Sequence, residues 1–428
     1  MSTLPPRAPV NLQETGLDIG ILAPLVLKIL YYTSHISQGA MVERLGLPLN
    51  VVSELLQFLA REHLCEVTGG QSNVIGGSRY TLTTKGLDRA TRALATSGYV
   101  GEAPVRVEDY VAQVRKQSVQ SIIFDRERIE ASLSHLVLPE KTRDLIGQAL
   151  SSKRSFLIYG ASGNGKTSVA LALGEALPGE IIIPYAIEFM REIIQVFDAS
   201  THKPVDLPNG YREETGALLD KRWVVIKRPI VHVAGELAAN QLELMLDEVH
   251  KTYDAPVQMK ANGGLLIIDD FGRQRLDATY LLNRWVTPLE QQIDYLTIHS
   301  GARLEVPFDV IPLFVSNLPP ADLADEAFLR RLRYKVEIPS PERGQFIEIL
   351  KRECQANGIA HDDGAADYLI DTLYRDGERE MRGCHPRDLV EAISDAARYL
   401  GTAKALTPET VDQAGSRYFV SDSIPKGN

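Results

Sequence analysis

The feature that most constrains this chain is a glycine-rich stretch at residues 155–179, SFLIYGASGNGKTSVALALGEALPG. An apolar run precedes the glycines, a run of helical character follows them, and Pro178-Gly179 ends that run. Gly160, Gly165, Lys166 and Thr167 satisfy the pattern G-x-x-x-x-G-K-[ST]. The stretch therefore predicts a strand, a tight loop and a helix in immediate succession.

A loop of this composition is suited to hold a phosphate chain. Its small residues let the backbone wrap closely around an anion, so that N–H groups and the helix N-terminus point at it. We expect Lys166 to reach the β- and γ-phosphates and the Thr167 hydroxyl to ligate Mg²⁺. The alternative is a structural turn with a chance Lys-Thr pair, which the flanking strand and helix disfavour. The predicted phosphate-binding residues of the loop are Gly160, Ala161, Ser162, Gly163, Asn164 and Gly165.

A second candidate element is LLIIDDFGRQ, residues 265–274. Its apolar residues predict a buried strand that carries Asp269 and Asp270 at its end. Two adjacent aspartates can hold a metal, activate a water or close a turn. In P-loop NTPases an acidic residue at the end of a core strand holds Mg²⁺. We therefore expect Asp269 on the Mg²⁺ side and Asp270 to polarise the attacking water, with an acidic turn as the alternative.

With both elements in place, residues 121–420 resemble an AAA+ ATPase. The run VPFDVIPLFVSNLPPADL is similar to the sensor-1 strand of that family, with Asn317 as its polar residue. The segment GCHPRDL resembles sensor 2, which implies that Arg387 reaches back to the phosphates. The resemblance implies an α/β fold with a parallel P-loop sheet and a helical lid, and ATP and Mg²⁺ as cofactors.

A third similar segment is DEAFLRRLRYKVEIPSP, which matches the arginine-finger region of AAA+ proteins. By this match Arg330 and Arg331 would act on ATP held by a neighbouring subunit, and a solvated basic patch is the alternative reading. The resemblance implies a homo-oligomer, which we expect to be a hexameric ring that hydrolyses ATP and remodels a protein partner. A nucleotide-dependent scaffold with little turnover remains open, because Asp270 stands where most of the family has the longer Glu.

Lys166 and Asp269 are 103 positions apart, more than in a minimal AAA+ core. This spacing indicates an insertion at about 187–262. The approach to the aspartates and a predicted β-hairpin at 288–310 resemble those of MoxR-type ATPases, magnesium chelatases and enhancer-binding activators. We therefore expect a member of that insert-bearing branch.

Residues 17–97 resemble a winged-helix domain, with a helix, a helix-turn-helix and a two-stranded hairpin. Residues 98–120 follow as a predicted linker, then the α/β core at 121–340 and a helical lid at 341–420. Within 1–100 there are eight Lys or Arg and seven Asp or Glu, whereas affinity for DNA comes mostly from cations. We therefore favour a protein partner, and DNA remains the alternative, as in helicase loaders or transposition accessory ATPases.

Composition places this chain among ordinary globular proteins. The net charge is −10, with 44% hydrophobic and 24% charged residues, which argues against coating nucleic acid through bulk positive charge. The three cysteines are distant from one another, which is typical of reduced thiols. The N-terminus shows no signal peptide and no segment is suited to span a membrane, so we expect a cytoplasmic location.

Overall fold

Both helices and strands form, and they fall partly into strand-rich and helix-rich stretches. The structure, a computed structural model, describes residues 4–69, 77–206, 218–323, 326–375 and 379–419. Packing divides the chain into two units of three segments each. Unit 1 is formed by 1–122, 177–266 and 280–311, and unit 2 by 123–176, 267–279 and 312–428. These units follow packing rather than the order of the sequence, and the predicted domain boundaries stay a prediction.

The elements of the N-terminal part are α1 (Ile19–Thr33), β1 (Ile36–Ser37), α2 (Gln38–Leu45), α3 (Leu49–Arg61), β2 (Cys65–Gly69), β3 (Arg79–Leu82), α4 (Thr84–Thr96), β4 (Val105–Arg106) and α5 (Val107–Lys116). The next are α6 (Arg126–Leu133), α7 (Glu140–Ser151), β5 (Phe156–Tyr159), α8 (Lys166–Glu175), β6 (Glu180–Pro184), β7 (Ala186–Phe189), β8 (Glu192–Gln195), β9 (Trp223–Lys227) and β10 (Ile230–Val233).

Further along lie β11 (Met245–Asp247), β12 (Thr252–Asp254), α9 (Val257–Lys260), β13 (Leu265–Ile268), α10 (Ala278–Arg284), α11 (Val286–Gln291), β14 (Ile293–Thr297), β15 (Arg303–Pro307) and β16 (Ile311–Ser316). The last elements are α12 (Pro320–Leu323), α13 (Glu326–Leu329), β17 (Tyr334–Glu337), α14 (Arg343–Ala356), α15 (Asp363–Leu373), α16 (His385–Leu400) and α17 (Pro408–Tyr418).

In the N-terminal part of unit 1, α1 to α4 surround a three-stranded antiparallel sheet in the order β1-β3-β2. The apolar face of α3 is fully buried, at Val52, Leu55, Leu56 and Leu59. The connection expected between the hairpin strands falls within 70–76, outside the described residues. These elements are compatible with the winged-helix assignment, which stays a prediction.

The rest of unit 1 is rich in strands. Residues 98–120, predicted as a linker, contain β4 and α5, and β4 joins a sheet of order β11-β12-β8-β7-β4. Within the predicted insertion, β9 ends at Lys227 and β10 begins at Ile230. The hairpin expected at 288–310 is also present, because β14 pairs antiparallel with β15. Residues 207–217 of the predicted insertion lie outside the described residues.

The sheet that carries the candidate site has the strand order β10-β13-β16-β5-β17. Its strand β5 pairs in parallel with both β16 and β17. The residues of β13 and β16 are fully buried, as expected for apolar strands covered on both faces. The predicted α/β fold with a parallel sheet is confirmed, and the carboxyl ends of parallel strands meet at one edge.

The C-terminal helices α14 to α17 pack around a core of their own within unit 2. Phe346 and Leu350 of α14 meet Leu389 of α16 and Val411 of α17, all of them fully buried. Asp362 caps α15 by accepting a hydrogen bond from Ala365 N–H at 2.7 Å. The helical character predicted for this part is therefore confirmed. Among the described helices, none combines the length and the hydropathy that a membrane span requires.

Candidate functional site

The loop between β5 and α8 depends on glycine at defined positions. Gly160, Gly163 and Gly165 have φ angles of +141°, +84° and +78°, which residues other than glycine rarely adopt. A Cβ at Gly160 would stand 2.4 Å from the carbonyl oxygen of Ile338, and one at Gly163 would stand 2.5 Å from Cys384 Sγ. A Cβ at Gly165 would meet nothing within 4 Å. The loop is therefore covered at Gly160 and Gly163 and open at Gly165, just before α8 begins.

The first turn of α8 faces this opening. Gly165 provides no side chain to cap the helix, so the N–H groups of its first turn are available to an anion. Lys166 is 6% exposed, and its Nζ donates to the Ala161 carbonyl at 2.8 Å. Burial lowers the pKa of Lys166, the guanidinium groups of Arg382 and Arg273 lower it further, and Asp269 and Asp270 oppose them. The ammonium is thus held inside the loop, within reach of several charges.

Thr167 and Asp269 are in direct contact, although 102 positions separate them. The Thr167 hydroxyl donates to Asp269 Oδ2 at 2.7 Å. A hydroxyl and a carboxylate are hard oxygen ligands, and Mg²⁺ is commonly held by one or two such groups together with substrate phosphates and waters. No cluster of three His, Cys, Asp or Glu suited to a metal occurs among the described residues. The pair therefore fits Mg²⁺ that arrives with a phosphate ligand, rather than a metal held by the protein alone.

Asp270 and Asn317 lie next to this pair. Asn317 Nδ2 donates to Asp270 Oδ1 at 3.2 Å, and the Asp270 N–H donates to Asp269 Oδ1 at 2.8 Å. The φ angle of Asp270 is +50°, a left-handed conformation that Asp and Asn adopt more readily than longer residues. Strand β16, which ends at Ser316 just before Asn317, lies between β5 and β13 in the sheet. This topology brings the three sequence-predicted elements together at one edge.

A segment before α16 contacts the loop, and sequence reasoning identified only its last two residues, Gly383 and Cys384, as part of the sensor-2-like run. Arg382 Nη1 donates to the Ser162 carbonyl at 2.9 Å, and the Gly383 N–H donates to Asn164 Oδ1 at 3.2 Å. Asn164 Nδ2 in turn donates to Ser340 Oγ at 3.1 Å. We call residues 380–384 the lid segment. The signal in the sequence was its overlap with the sensor-2-like run.

The cavity beside the loop has a volume of about 400 Å³, which is the size of a small-molecule site. It continues from the loop to a second part between the α6–α7 connection and α14. There Arg352 Nη1 donates to the Ser134 carbonyl at 3.1 Å. This part of the site was also not predicted. The cavity is lined by His135–Leu138, Ser162–Val169, Asp269, Asp270, Asn317, Ile349, Arg352, Glu353, Gly383, Cys384 and Arg387.

Three predicted arginines differ in their position. Arg387 lines the cavity, but its guanidinium lies 3.0 Å from Asp388 Oδ1 and 4.0 Å from Glu391 Oε1. Arg330 is exposed and pairs with Glu326 at 2.7 Å. The Arg331 carbonyl accepts a hydrogen bond from Ser155 Oγ at 2.9 Å. Neither Arg330 nor Arg331 lines the cavity of its own chain.

Comparison with family models matches residues 342–417 to a domain of unknown function, DUF8689. A search of curated proteins found no match. Among solved structures, NtrX from Brucella abortus aligns at 12% identity and a TM-score of 0.39, over 84% of this chain and 60% of that one. This chain thus spans less than two thirds of the NtrX structure.

The Holliday junction branch migration motor RuvB of Thermotoga maritima aligns at 14% identity and a TM-score of 0.37, over 64% of this chain and 67% of that one. Its P216G mutant aligns at 14% identity and a TM-score of 0.36, over 69% and 71%. Because these similarities are distant, the residues of the cavity, and not the alignments, indicate the chemistry of the site. The loop, the paired aspartates and the strand order of this sheet give the chain a P-loop α/β fold.

Proposed function

We propose that this protein binds ATP with Mg²⁺ and hydrolyses it as an ATPase of the AAA+ type. The observation that carries the proposal is the Thr167–Asp269 hydrogen bond of 2.7 Å, beside a glycine loop that holds Lys166. A hydroxyl and a carboxylate meet where the phosphate-binding loop ends, which is the arrangement that Mg²⁺–nucleotide binding requires.

Each residue has a role that its position supports. The N–H groups of the loop and the Lys166 ammonium bind the phosphates. Thr167 and Asp269 would hold Mg²⁺, which neutralises charge on the phosphate oxygens when bound. Asp270 accepts a proton from the attacking water, and Asn317 holds the Asp270 carboxylate in place. The second part of the cavity, where Leu136, Val137 and Ile349 supply apolar lining, takes the nucleobase.

The same proposal includes a homo-oligomer, for which we favour a hexameric ring. Arg330 is 75% exposed and lies outside the cavity of its own chain. An exposed arginine of this kind is available to a neighbouring subunit, where it supplies positive charge to the transferring phosphoryl group. Arg331 is the second candidate for this role. The hairpin of β14 and β15 supports membership of the insert-bearing branch.

We further propose that the ring remodels a protein partner. The outward residues of α3 are Asn50, Glu54, Gln57 and Arg61, which carry one negative and one positive charge. The turn that precedes α3 is covered within unit 1, because a Cβ at Gly46 would stand 2.9 Å from the Lys221 carbonyl. A helix-turn-helix binds DNA through the N-terminal part of this helix and through nearby cations. The described contacts therefore favour a protein, and DNA is the second candidate.

The proposed ATPase is tested by titration calorimetry and by phosphate release, with and without Mg²⁺. The wild type should bind ATP, and Lys166→Ala should weaken binding by about 10- to 100-fold, because a charged hydrogen bond is lost. Lys141→Ala, an exposed lysine on α7, is the matched control and should bind as the wild type does. ATP binding that is unaffected in Lys166→Ala would exclude the proposed site.

The nature of the partner needs a separate measurement. Fluorescence anisotropy should measure the affinity of the full chain for a labelled DNA duplex at 50 and 200 mM salt. We expect no binding whose affinity falls steeply between the two salt concentrations. A slope that indicates several neutralised phosphates would favour DNA as the partner. Capture with an Asp270→Asn variant that retains ATP, compared with Lys166→Ala, should identify a protein that depends on bound nucleotide.

A further inference from the structure

One buried hydroxyl group joins the two turns that follow β13 and β16. Ser316, the last residue of β16, is 1% exposed and is not among the residues that line the cavity. Its Oγ donates to the Phe271 carbonyl at 2.6 Å and accepts from the Leu318 N–H at 3.1 Å. Ser316 therefore holds one residue of each turn, the first next to Asp270 and the second next to Asn317.

Phe271 anchors the backbone that follows Asp270. Its N–H donates to the Val315 carbonyl at 2.8 Å, so Phe271 is bound to β16 through both its N–H and its carbonyl. Its buried ring packs on Phe314, with the ring centroids 4.9 Å apart. The φ angle of Asp270 is +50°, so the chain turns sharply just before this anchor. The direction in which Asp270 leaves the strand therefore depends on how Phe271 is held.

These contacts form a closed ring that includes the pair proposed to act on water. Asn317 Nδ2 donates to Asp270 Oδ1 at 3.2 Å, which links the two turns through their side chains. Ser316 links the same two turns through the Phe271 carbonyl. The side-chain link is long and exposed to solvent, whereas the link through Ser316 is short and buried, where a hydrogen bond is stronger. The buried link is therefore the one that sets the spacing of the pair.

We propose that Ser316 is a positioning residue for ATP hydrolysis, which fixes the Asp270 carboxylate and the Asn317 amide in the geometry that the attacking water requires. The inference rests on the ATPase function proposed above. Ser316 touches neither the nucleotide nor the water, and it acts through the two turns that it joins. A displacement of about 1 Å in a reacting group lowers a rate by as much as ~100-fold. A hydroxyl that restrains both turns therefore affects turnover without affecting nucleotide affinity.

The position requires a side chain that both donates and accepts a hydrogen bond. A hydroxyl does both, and here it donates to the Phe271 carbonyl and accepts from the Leu318 N–H. Ser316→Ala removes both contacts and leaves a buried carbonyl without this partner. Ser316→Thr retains the hydroxyl on a residue type that suits a strand. Ser316→Cys fills the same space with a thiol, which is only a weak donor.

The test measures two quantities on the full chain with Mg²⁺, the affinity for a hydrolysis-resistant ATP analogue and the single-turnover rate of ATP hydrolysis. Ser316→Ala should lower the rate by about 10- to 30-fold and the affinity by less than about 3-fold. Ser316→Thr should recover most of the rate, and Ser316→Cys should be intermediate. Ser394→Ala is the matched control and should match the wild type. Ser394 is a 4% exposed serine of α16 whose Oγ has no hydrogen-bond partner among the described residues.

Two further measurements distinguish positioning from a general effect on stability. If Ser316 acts through Asp270, then adding Ser316→Ala to Asp270→Asn should lower the remaining rate by less than about 3-fold, because the group that it positions is already lost. Hydrogen exchange of the Leu318 amide should be faster in Ser316→Ala, because that amide loses its acceptor. Exchange at the wild-type rate would mean that the hydroxyl does not hold the turn, and it would overturn the inference without reference to activity.

The outcomes separate this inference from the proposed function. If the wild type does not hydrolyse ATP, the proposed function is overturned and the inference with it. If the wild type hydrolyses ATP and Ser316→Ala matches it, only the role of Ser316 is wrong. That role is also wrong if Ser316→Ala loses affinity and rate equally, or if its effect multiplies fully with that of Asp270→Asn. The thermal unfolding midpoint checks that Ser316→Ala is folded. If it is not, Ser316→Cys decides: a wild-type rate overturns the inference, and a rate about 3- to 10-fold lower at normal affinity supports it.

Discussion

Asn317 Nδ2 donates a 3.2 Å hydrogen bond to Asp270 Oδ1, and this contact joins the ends of two strands of the central sheet. It places an amide beside the carboxylate that we propose to activate water. Asp270 has a φ of +50°, which Asn also adopts readily, so Asp270→Asn removes the charge without straining the backbone.

We therefore expect Asp270→Asn to bind ATP within about 3-fold of the wild type and to lower the turnover number by about 100-fold or more, since a general base contributes that much. Asn317→Ala should lower turnover by about 10-fold, because the carboxylate loses a hydrogen bond. Phosphate release under single-turnover conditions measures both. Turnover at the wild-type rate in Asp270→Asn would assign the water to another residue.

Two glycines of the loop should behave differently when each is replaced by alanine. A Cβ at Gly160 would be 2.4 Å from a backbone oxygen at a φ of +141°, so Gly160→Ala should destabilise the fold by about 2–4 kcal/mol. A Cβ at Gly165 has open space around it, so Gly165→Ala should cost about 1 kcal/mol through its φ of +78°.

Gly165→Ala, the less destabilising of the two substitutions, should nevertheless impair ATP binding. The methyl group at Gly165 would occupy the opening beside the first turn of α8, so Gly165→Ala should lose ATP affinity while it remains folded. Urea unfolding and titration calorimetry separate the two effects. Normal ATP affinity in Gly165→Ala would mean that the phosphates lie elsewhere.

His385 should make the helices α14 to α17 sensitive to acid. It is 8% exposed, its Nδ1 lies 2.8 Å from the Tyr374 hydroxyl, and burial lowers its pKa to about 4, with Arg382 adding to the effect. Because the folded state binds the proton more weakly than the unfolded state, the stability from this group is present above pH 6.5 and is lost as the pH falls towards 4.

The loss amounts to at most ~3 kcal/mol over this range of pH. Hydrogen exchange of α16, corrected for the intrinsic rate, should show protection that falls between pH 7 and 5 in the wild type. His385→Gln should lose less protection over the same interval. An identical decrease in the two proteins would assign the pH dependence to other groups.

The arginine-finger assignment predicts that two inactive variants complement one another. In an equimolar mixture of Lys166→Ala and Arg330→Ala, roughly a quarter of the interfaces in a random ring would join an intact loop to an intact arginine. ATP hydrolysis should therefore recover in the mixture. Lys166→Ala mixed with the double variant is the control and should remain inactive. Absence of any recovery in the first mixture would argue against a site shared between subunits.

The sequence by itself determined the local elements of the site. Glycine spacing, apolar runs and adjacent acids specify backbone conformations over a few residues, so the loop at 160–165, the strand before Asp269 and the strand before Asn317 could all be placed. The meeting of Thr167 with Asp269 was also predictable, because parallel strands present their carboxyl ends at one edge of a sheet.

Only the tertiary structure decided what closes the loop from the other side. Arg382 and Gly383 are about 220 positions from the loop residues that they contact, and a surface arginine next to a glycine has no local pattern that indicates such a contact. The sequence resemblance pointed to Arg387 instead, which the structure pairs with Asp388. The left-handed backbone of Asp270 is likewise a consequence of packing, because the hydrogen bond from Phe271 N–H to the Val315 carbonyl fixes the chain after the strand. Local propensity sets which elements form, whereas long-range hydrogen bonds and steric exclusion set which side chains meet.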